Sequence, residues 1–392
     1  MTPKSRLRSC CDTALKRSIL LLTFLLGGCP ARTVPVETPA PSPLIAPDKV
    51  AIPTELTWDM GFLQLNVEQA SALSLSEKKP MLLYFYTPWC GPCKEYDRKV
   101  FPTKPFQDFA STLVSIKIDA GADANVSLAK QFEVNSYPTM VVCRPGGEEV
   151  ERFFGFKETE VFVATVQDYL AGRNTATDYR DRALADPNNL ELAFIAGREL
   201  AIRKRGEEAI PFLERVWRVD TENTTKNVPR AMLLQARTVY LDQLKERDKA
   251  LPILEELSKR FSESFHGTEA TYMIARIYLE KGDKDKARDV LLNRVRIAPH
   301  DAIQYFRFGG FCLRHSFMLD EGIVKIEEGL KQHADAGYLW KTLADLRFRS
   351  HDYDGAVEAM EEAVKFAGGS LQTYEMLLET YRKARARLQE GK

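Results

Sequence analysis

Nine residues constrain this chain more than any others: Tyr86-Thr87-Pro88-Trp89-Cys90-Gly91-Pro92-Cys93-Lys94. The apolar and aromatic run Met81 to Phe85 precedes them as a predicted strand, and Lys94 to about Ala110 follows as a predicted helix. Thiols in the first turn of a helix face unpaired backbone N–H groups and the positive end of the dipole, which favour thiolate. Cys90 is then the more exposed nucleophile and Cys93, one turn in, the resolving thiol that closes the disulfide. Pro92 suits the first turn, where its missing N–H is not needed.

A CxxC pair also serves in zinc sites and in plain structural disulfides. Zinc needs two further ligands, usually from a second closely spaced pair. Cys143, Cys312 and the five histidines supply no second CxxC and no HxxxH, so redox chemistry is the reading and no metal is expected.

The same residues carry a resemblance. WCGPCK resembles the active-site sequence of thioredoxins, and Ser136-Tyr137-Pro138-Thr139 resembles their cis-proline loop. The resemblance runs from about Trp58 to Gly172. It implies that Tyr137 and Pro138 sit opposite Cys90, that the residue before the proline receives substrate main chain, and that Trp89 forms an apolar rim for a protein substrate. Cys93 to Phe101 is most similar to the periplasmic electron-delivering domains of the DsbD type. Thioredoxins carry a buried aspartate where this chain has Tyr84 and a lysine where it has Ser115. That pair assists deprotonation of the resolving thiol. Asp97, one helical turn after Cys93, is a candidate proton acceptor in its place, with a solvated helix-face aspartate as the plainer alternative.

The N-terminus carries its own information. Lys4, Arg6, Arg8, Lys16 and Arg17 precede a short apolar run, Ser18 to Leu26. Such a run is too short to span a bilayer as a helix, which takes about 20 residues, and it reads as an export signal. Leu26-Gly27-Gly28-Cys29 resembles a bacterial lipobox, which implies cleavage before Cys29 and lipid on its thiol. Seven prolines between Pro30 and Pro53 describe an extended tether, able to reach about 70 Å. The expected organisation is a signal over 1–28, a lipidated cysteine and tether over 29–55, a thioredoxin-like domain over 56–172 and a repeat domain over 173–392. Lysine plus arginine equal aspartate plus glutamate, 55 against 55, so no global field points to nucleic acid.

Within the redox region the predicted order is a helix near Asn66–Ser76, strand 81–87, the CxxC helix, strand Leu113–Asp119, a short helix near Val126–Phe132 and strand Thr139–Cys143. A turn at Pro145-Gly146-Gly147 then leads to strand Glu149–Gly155 and a helix over about Glu158–Leu170. That order suits an α/β fold with a central mixed sheet flanked by helices. Cys143, inside an apolar strand, reads as a small core residue.

Beyond Gly172 small residues recur at fixed steps. Ala275 with Ala287, Gly310 with Gly322, Ala344 with Ala356 and Gly197 with Ala209 lie twelve apart, and Ala236 with Ala250 fourteen apart. These spacings resemble the tetratricopeptide repeat, so the expectation is an all-α solenoid of about five helix pairs plus a terminal helix, Leu371–Leu388. Such arrays present a binding surface for a protein or peptide. The aromatic cluster Tyr305, Phe306, Phe308, Phe311 and Phe317 reads more readily as core than as groove lining.

The functional expectation is an exported, membrane-anchored thiol–disulfide oxidoreductase. Its partners would be protein disulfide substrates, an upstream thiol electron donor and a protein held by the repeats. No cofactor-binding motif is present. The alternative is a lipoprotein adaptor whose thioredoxin-like domain only docks.

Overall fold

Buried on both faces, the strand Met81–Tyr86 (β3) forms the centre of the sheet. The computed structural model describes residues 50–297 and 300–390; Cys29, the predicted signal and most of the predicted tether lie outside them. Six strands pair in the order β1-β2-β4-β3-β5-β6, where β1 is Trp58–Asp59, β2 Phe62–Leu63, β4 Val114–Asp119, β5 Thr139–Cys143 and β6 Glu149–Phe154. β3 runs parallel to β4 and antiparallel to β5, and β6 returns antiparallel along β5, so the sheet is mixed.

Strand alternation divides the core into two layers. Met81, Leu83, Phe85, Val141 and Cys143 pack with side chains of α1 (Val67–Glu77) and α4 (Asp123–Gln131). Leu82, Tyr84, Met140 and Val142 pack with α2 (Gly91–Lys99), α3 (Lys104–Ala110) and α5 (Thr159–Leu170) on the other side. Asn66 caps α1 through a reciprocal capping box with Gln69, which sets that helix start.

The predicted helix over 94–110 is two helices. Pro102 cannot donate to a continuing ladder, and Thr103 takes extended geometry as the N-cap of α3, with Pro105 in its first turn. The break turns Phe101 inward, where it stacks on Tyr96 at 5.3 Å and meets Phe62 edge-on at 4.8 Å.

From residue 176 on, every described element is helical. α6 (Ala176–Ala185), which the repeat spacing did not call for, precedes five antiparallel pairs. These are α7 (Leu190–Ile202) with α8 (Gly206–Val219), α9 (Val228–Leu233, continued to Gln243 in π geometry) with α10 (Arg247–Arg260), α11 (Phe265–Glu280) with α12 (Lys284–Ile297), α13 (Ala302–His315) with α14 (Leu319–Leu330) and α15 (Gly337–Arg349) with α16 (Tyr353–Lys365). α17 (Leu371–Gln389) closes the series. The fourteen-residue step from Ala236 to Ala250 coincides with the π stretch, which holds more residues per turn.

One repeat marker moves. Gly309, not Gly310, lies at the close helix crossing: a Cβ there would meet Thr342 at 2.8 Å and Ile326 at 2.9 Å, whereas Gly310 faces open space. The turn that follows holds three residues, as in the other helix pairs, but two of them, Ser316 and Met318, are left-handed where the others have one. Tyr305, Phe308 and Phe311 are core; Phe306 is 40% exposed and meets the Tyr338 ring edge-on.

Candidate active site

β3 ends at Tyr86, and the chain reaches α2 through the Thr87–Trp89 loop, which places Cys90 as the helix N-cap. Its sulfur accepts the Cys93 N–H at 3.2 Å, one of the donors that a helix start leaves unpaired. Arg98 and Lys99 occupy the last turn, where cations complement the opposite end of the dipole. Cys90 and Cys93 are bonded to each other, with their Cα atoms 5.3 Å apart, and in this oxidised form both are buried.

The partner wall comes from the start of β5. Phe85 pairs with Thr139, so Pro138 stands level with the end of β3, across from the loop to Cys90. The Tyr137–Pro138 bond is cis. Thr139 Oγ1 donates to the Ser136 carbonyl at 2.7 Å and the Gly155 N–H donates to the Pro138 carbonyl at 3.2 Å, fixing the loop from both sides. Tyr137 meets Trp89 edge-on at 5.8 Å, and Trp89 itself is 73% exposed. The Tyr96 hydroxyl donates to the Gly155 carbonyl at 3.0 Å and accepts from the Lys157 N–H at 2.9 Å. That tie brings Phe156 against Tyr96, and Phe156 lines an open groove along α2 with Gly91 and Pro92. Cys90, Cys93, Trp89, Tyr137 and Pro138 therefore converge at one end of the sheet.

Asp97 is not a free surface carboxylate. Lys117 on β4 reaches it at 2.5 Å, with the two side chains 23% and 35% exposed. Nothing in linear order marks Lys117 beyond its being a lysine inside an apolar strand. Tyr84 is fully buried beneath the helix, its hydroxyl 3.5 Å from the Cys93 carbonyl. Burial above all, and then the Asp97 charge, push the Tyr84 phenol far above its ordinary range, so it stays protonated at neutral pH. Ser115 is buried too, two strand positions from Lys117. The two unpaired cysteines among the described residues, Cys143 and Cys312, are buried. Burial pushes the Cys312 thiol up to about 12 and Cys143 higher still, which leaves both unreactive.

A reactive dithiol at a helix start facing a cis-proline loop, on a mixed sheet, defines a thiol–disulfide exchange centre. Residues 61–168 match the thioredoxin family model and residues 269–296 match the tetratricopeptide repeat model. The thioredoxin of Mycolicibacterium smegmatis is 35% identical over 119 residues, 29% of this chain and 100% of that protein. The chain belongs to the thioredoxin family.

The protein disulfide-isomerase of Datisca glomerata is 29% identical over 121 residues, covering 30% of this chain and 22% of that protein. The chain thus spans about a fifth of the length of the plant disulfide isomerases it matches. Among solved structures, the C-terminal domain of DsbD from Neisseria meningitidis is 23% identical, covering 26% of this chain and 93% of that one at a TM-score of 0.24. The repeat protein YrrB is 16% identical, covering 53% of this chain and 100% of that one at a TM-score of 0.34.

Proposed function

We propose that this protein is an exported, lipid-anchored thiol–disulfide oxidoreductase that reduces or exchanges disulfides of envelope proteins, with its repeats recruiting a protein partner. The observation that carries the redox part is the Cys90–Cys93 pair at the start of α2, opposite the cis Tyr137–Pro138 bond. The Cys90 thiolate attacks a substrate disulfide and forms a mixed disulfide, releasing one substrate thiolate. Cys93 loses its proton to the Asp97 carboxylate and attacks the Cys90 sulfur, and the second substrate thiolate leaves. Two electrons have passed to the substrate and the Cys90–Cys93 bond has re-formed. An upstream thiol donor then reduces the pair by the same exchange. Trp89 and Tyr137 supply the rim that a protein substrate meets.

Export and anchoring rest on the basic and apolar segment before Cys29 and on the lipobox resemblance at Leu26–Cys29. The periplasm or cell exterior, the protein substrates, the electron donor and the partner held by the repeats belong to this proposal. The expected domain limits, 1–28, 29–55, 56–172 and 173–392, belong to it as well.

The test is insulin-disulfide reduction by the full chain with dithiothreitol as donor. Wild type should turn over, and Cys90→Ser and Cys93→Ser should not. In cells, replacing both cysteines by serine should abolish function, whereas an adaptor would keep it. Lipid labelling that disappears in Cys29→Ser would support the anchor.

A further inference from the structure

Helices α11, α13 and α15 present one common face. On α13, Ile303, Phe306, Gly310 and Arg314 follow at steps of three and four, which sets them in a single stripe. Ile303, Phe306 and Arg314 are exposed, and a Cβ at Gly310 would meet nothing within 4 Å. Equivalent stripes carry Tyr272 and Arg276 on α11 and Tyr338 and Arg349 on α15, with both arginines exposed. Contacts between the helices hold the stripes side by side. The Tyr272 hydroxyl donates to the Gln304 carbonyl at 3.4 Å, and the Phe306 and Tyr338 rings meet edge-on at 5.4 Å. Arg349 donates to the Ser316 hydroxyl at 3.2 Å.

The charges on this face do not balance. Its acids are Glu269, Glu280 and Asp345, and each is already engaged. Glu269 pairs with Arg307 at 2.6 Å, Glu280 with Arg247 at 2.7 Å and Asp345 with Lys341 at 2.5 Å. Arg276 is left with the other Glu280 oxygen, at 3.8 Å. Arg314 and Arg349 have no acidic partner among the described residues. Arg276 and Arg314 share one field at the end of α13: after burial, their charges lower the pKa of His315, against an opposing effect of Glu280. Guanidiniums gathered without carboxylates beside exposed rings favour an anion that can bond to them in their fixed plane.

We propose that this face binds an acidic segment of a partner protein, with carboxylates on Arg276, Arg314 and Arg349 and an apolar side chain in the opening at Gly310 beside Phe306. This rests on the reading that the repeats recruit a protein. Packed helices lie about 8–10 Å apart, and an extended chain rises about 3.3 Å per residue, so about six residues cross from α11 to α15. The chain's own proline-rich stretch does not match that chemistry. Its acids between residues 30 and 53 are Glu37 and Asp48, offset by Arg32 and Lys49. The occupant is therefore another protein.

The experiment probes an array of synthetic hexapeptides of random composition with the full chain, then measures fluorescein-labelled binders by anisotropy. Bound peptides should be enriched in aspartate and glutamate. Replacing those acids by asparagine and glutamine should weaken binding by at least about tenfold, the scale of one charge-assisted hydrogen bond. Arg276→Gln combined with Arg314→Gln should weaken it by about 100-fold, and lysine at both positions by less. Gly310→Leu, which fills the opening and leaves every charge in place, should also weaken binding. Arg288→Gln, on α12 and paired with Glu321 of α14, should change nothing. Thermal melting checks the fold of each variant, and Gly310→Leu with the lysine pair carries the test if the glutamine pair does not fold. Acidic peptides bound as tightly by the folded glutamine pair as by wild type overturn the site. Peptides bound without acidic preference overturn the partner class and leave recruitment by the repeats standing. An array that binds nothing overturns both.

Discussion

Arg203, at the C-terminal end of α7 in the helical array, is ion-paired with Glu151, a 3% exposed carboxylate on the edge strand β6. The same guanidinium donates to the Arg152 carbonyl at 3.1 Å and pairs with Glu199 at 2.5 Å. Glu151 Oε2 also accepts the N–H of Ala176 at the start of α6. Burial works against the charge on Arg203, and Glu151 with Glu199 more than reverses it, raising its pKa above the ordinary value. A sheet edge that would otherwise offer free backbone groups is therefore closed by the first helices of the array. The redox sheet and the array share this buried pair.

Removing one partner of that pair should be costly. Arg203→Met leaves the Glu151 charge buried and is expected to destabilise the chain by about 3–5 kcal/mol. Glu151→Gln, which can still accept from the Ala176 N–H, should cost less. Urea midpoints of the two variants check this. A loss below about 1 kcal/mol for Arg203→Met would mean that the pair is solvated like a surface bridge.

A second buried carboxylate gives a pH signature. Asp220, 4% exposed, accepts from the N–H and hydroxyl groups of both Thr224 and Thr225. Burial alone would raise its pKa, but the four bonds from Thr225 and Thr224 lower it to about 2. A depressed carboxylate contributes stability that is fully present above its unfolded value, about 3.9, and is lost as pH falls toward the folded value. Asp220→Asn should therefore be less stable at neutral pH and lose less stability than wild type over that acid window. Urea unfolding at a series of pH values is the check, and parallel curves would contradict it.

The glycine pair in α13 separates packing from propensity. Gly309→Ala places a Cβ against Thr342 and Ile326 and should cost about 1–3 kcal/mol by overpacking. Gly310→Ala meets nothing within 4 Å and should be neutral or stabilising by up to about 1 kcal/mol. Thermal melting distinguishes them, and the reverse order would restore Gly310 as the repeat marker.

How much of this was legible before the structure depends on distance along the chain. β3, the CxxC turn and β5 are local signals: a continuous apolar run, a cysteine pair around Pro92, and an apolar run after Pro138. The helix pairs were legible because small residues recur where helices cross. The break at Pro102 was legible too: the predicted helix over 94–110 ran through a proline that cannot donate to a continuing ladder. Lys117 and Arg203 could not be read this way, because their partners lie 20 and 52 residues off, brought near by strand register and by docking of α7. Gly309 takes the crossing position in place of Gly310 ahead of a turn with two left-handed residues, which no periodicity encodes.

The measurement closest to the central claim is the redox equilibrium of Cys90–Cys93 in the full chain, followed against glutathione and dithiothreitol buffers by thiol alkylation. A reductase with Gly-Pro between its cysteines predicts reversible exchange with a potential near that of thioredoxin, about −270 mV. A pair that never exchanges, or one poised above about −150 mV and so on the oxidant side, would contradict it.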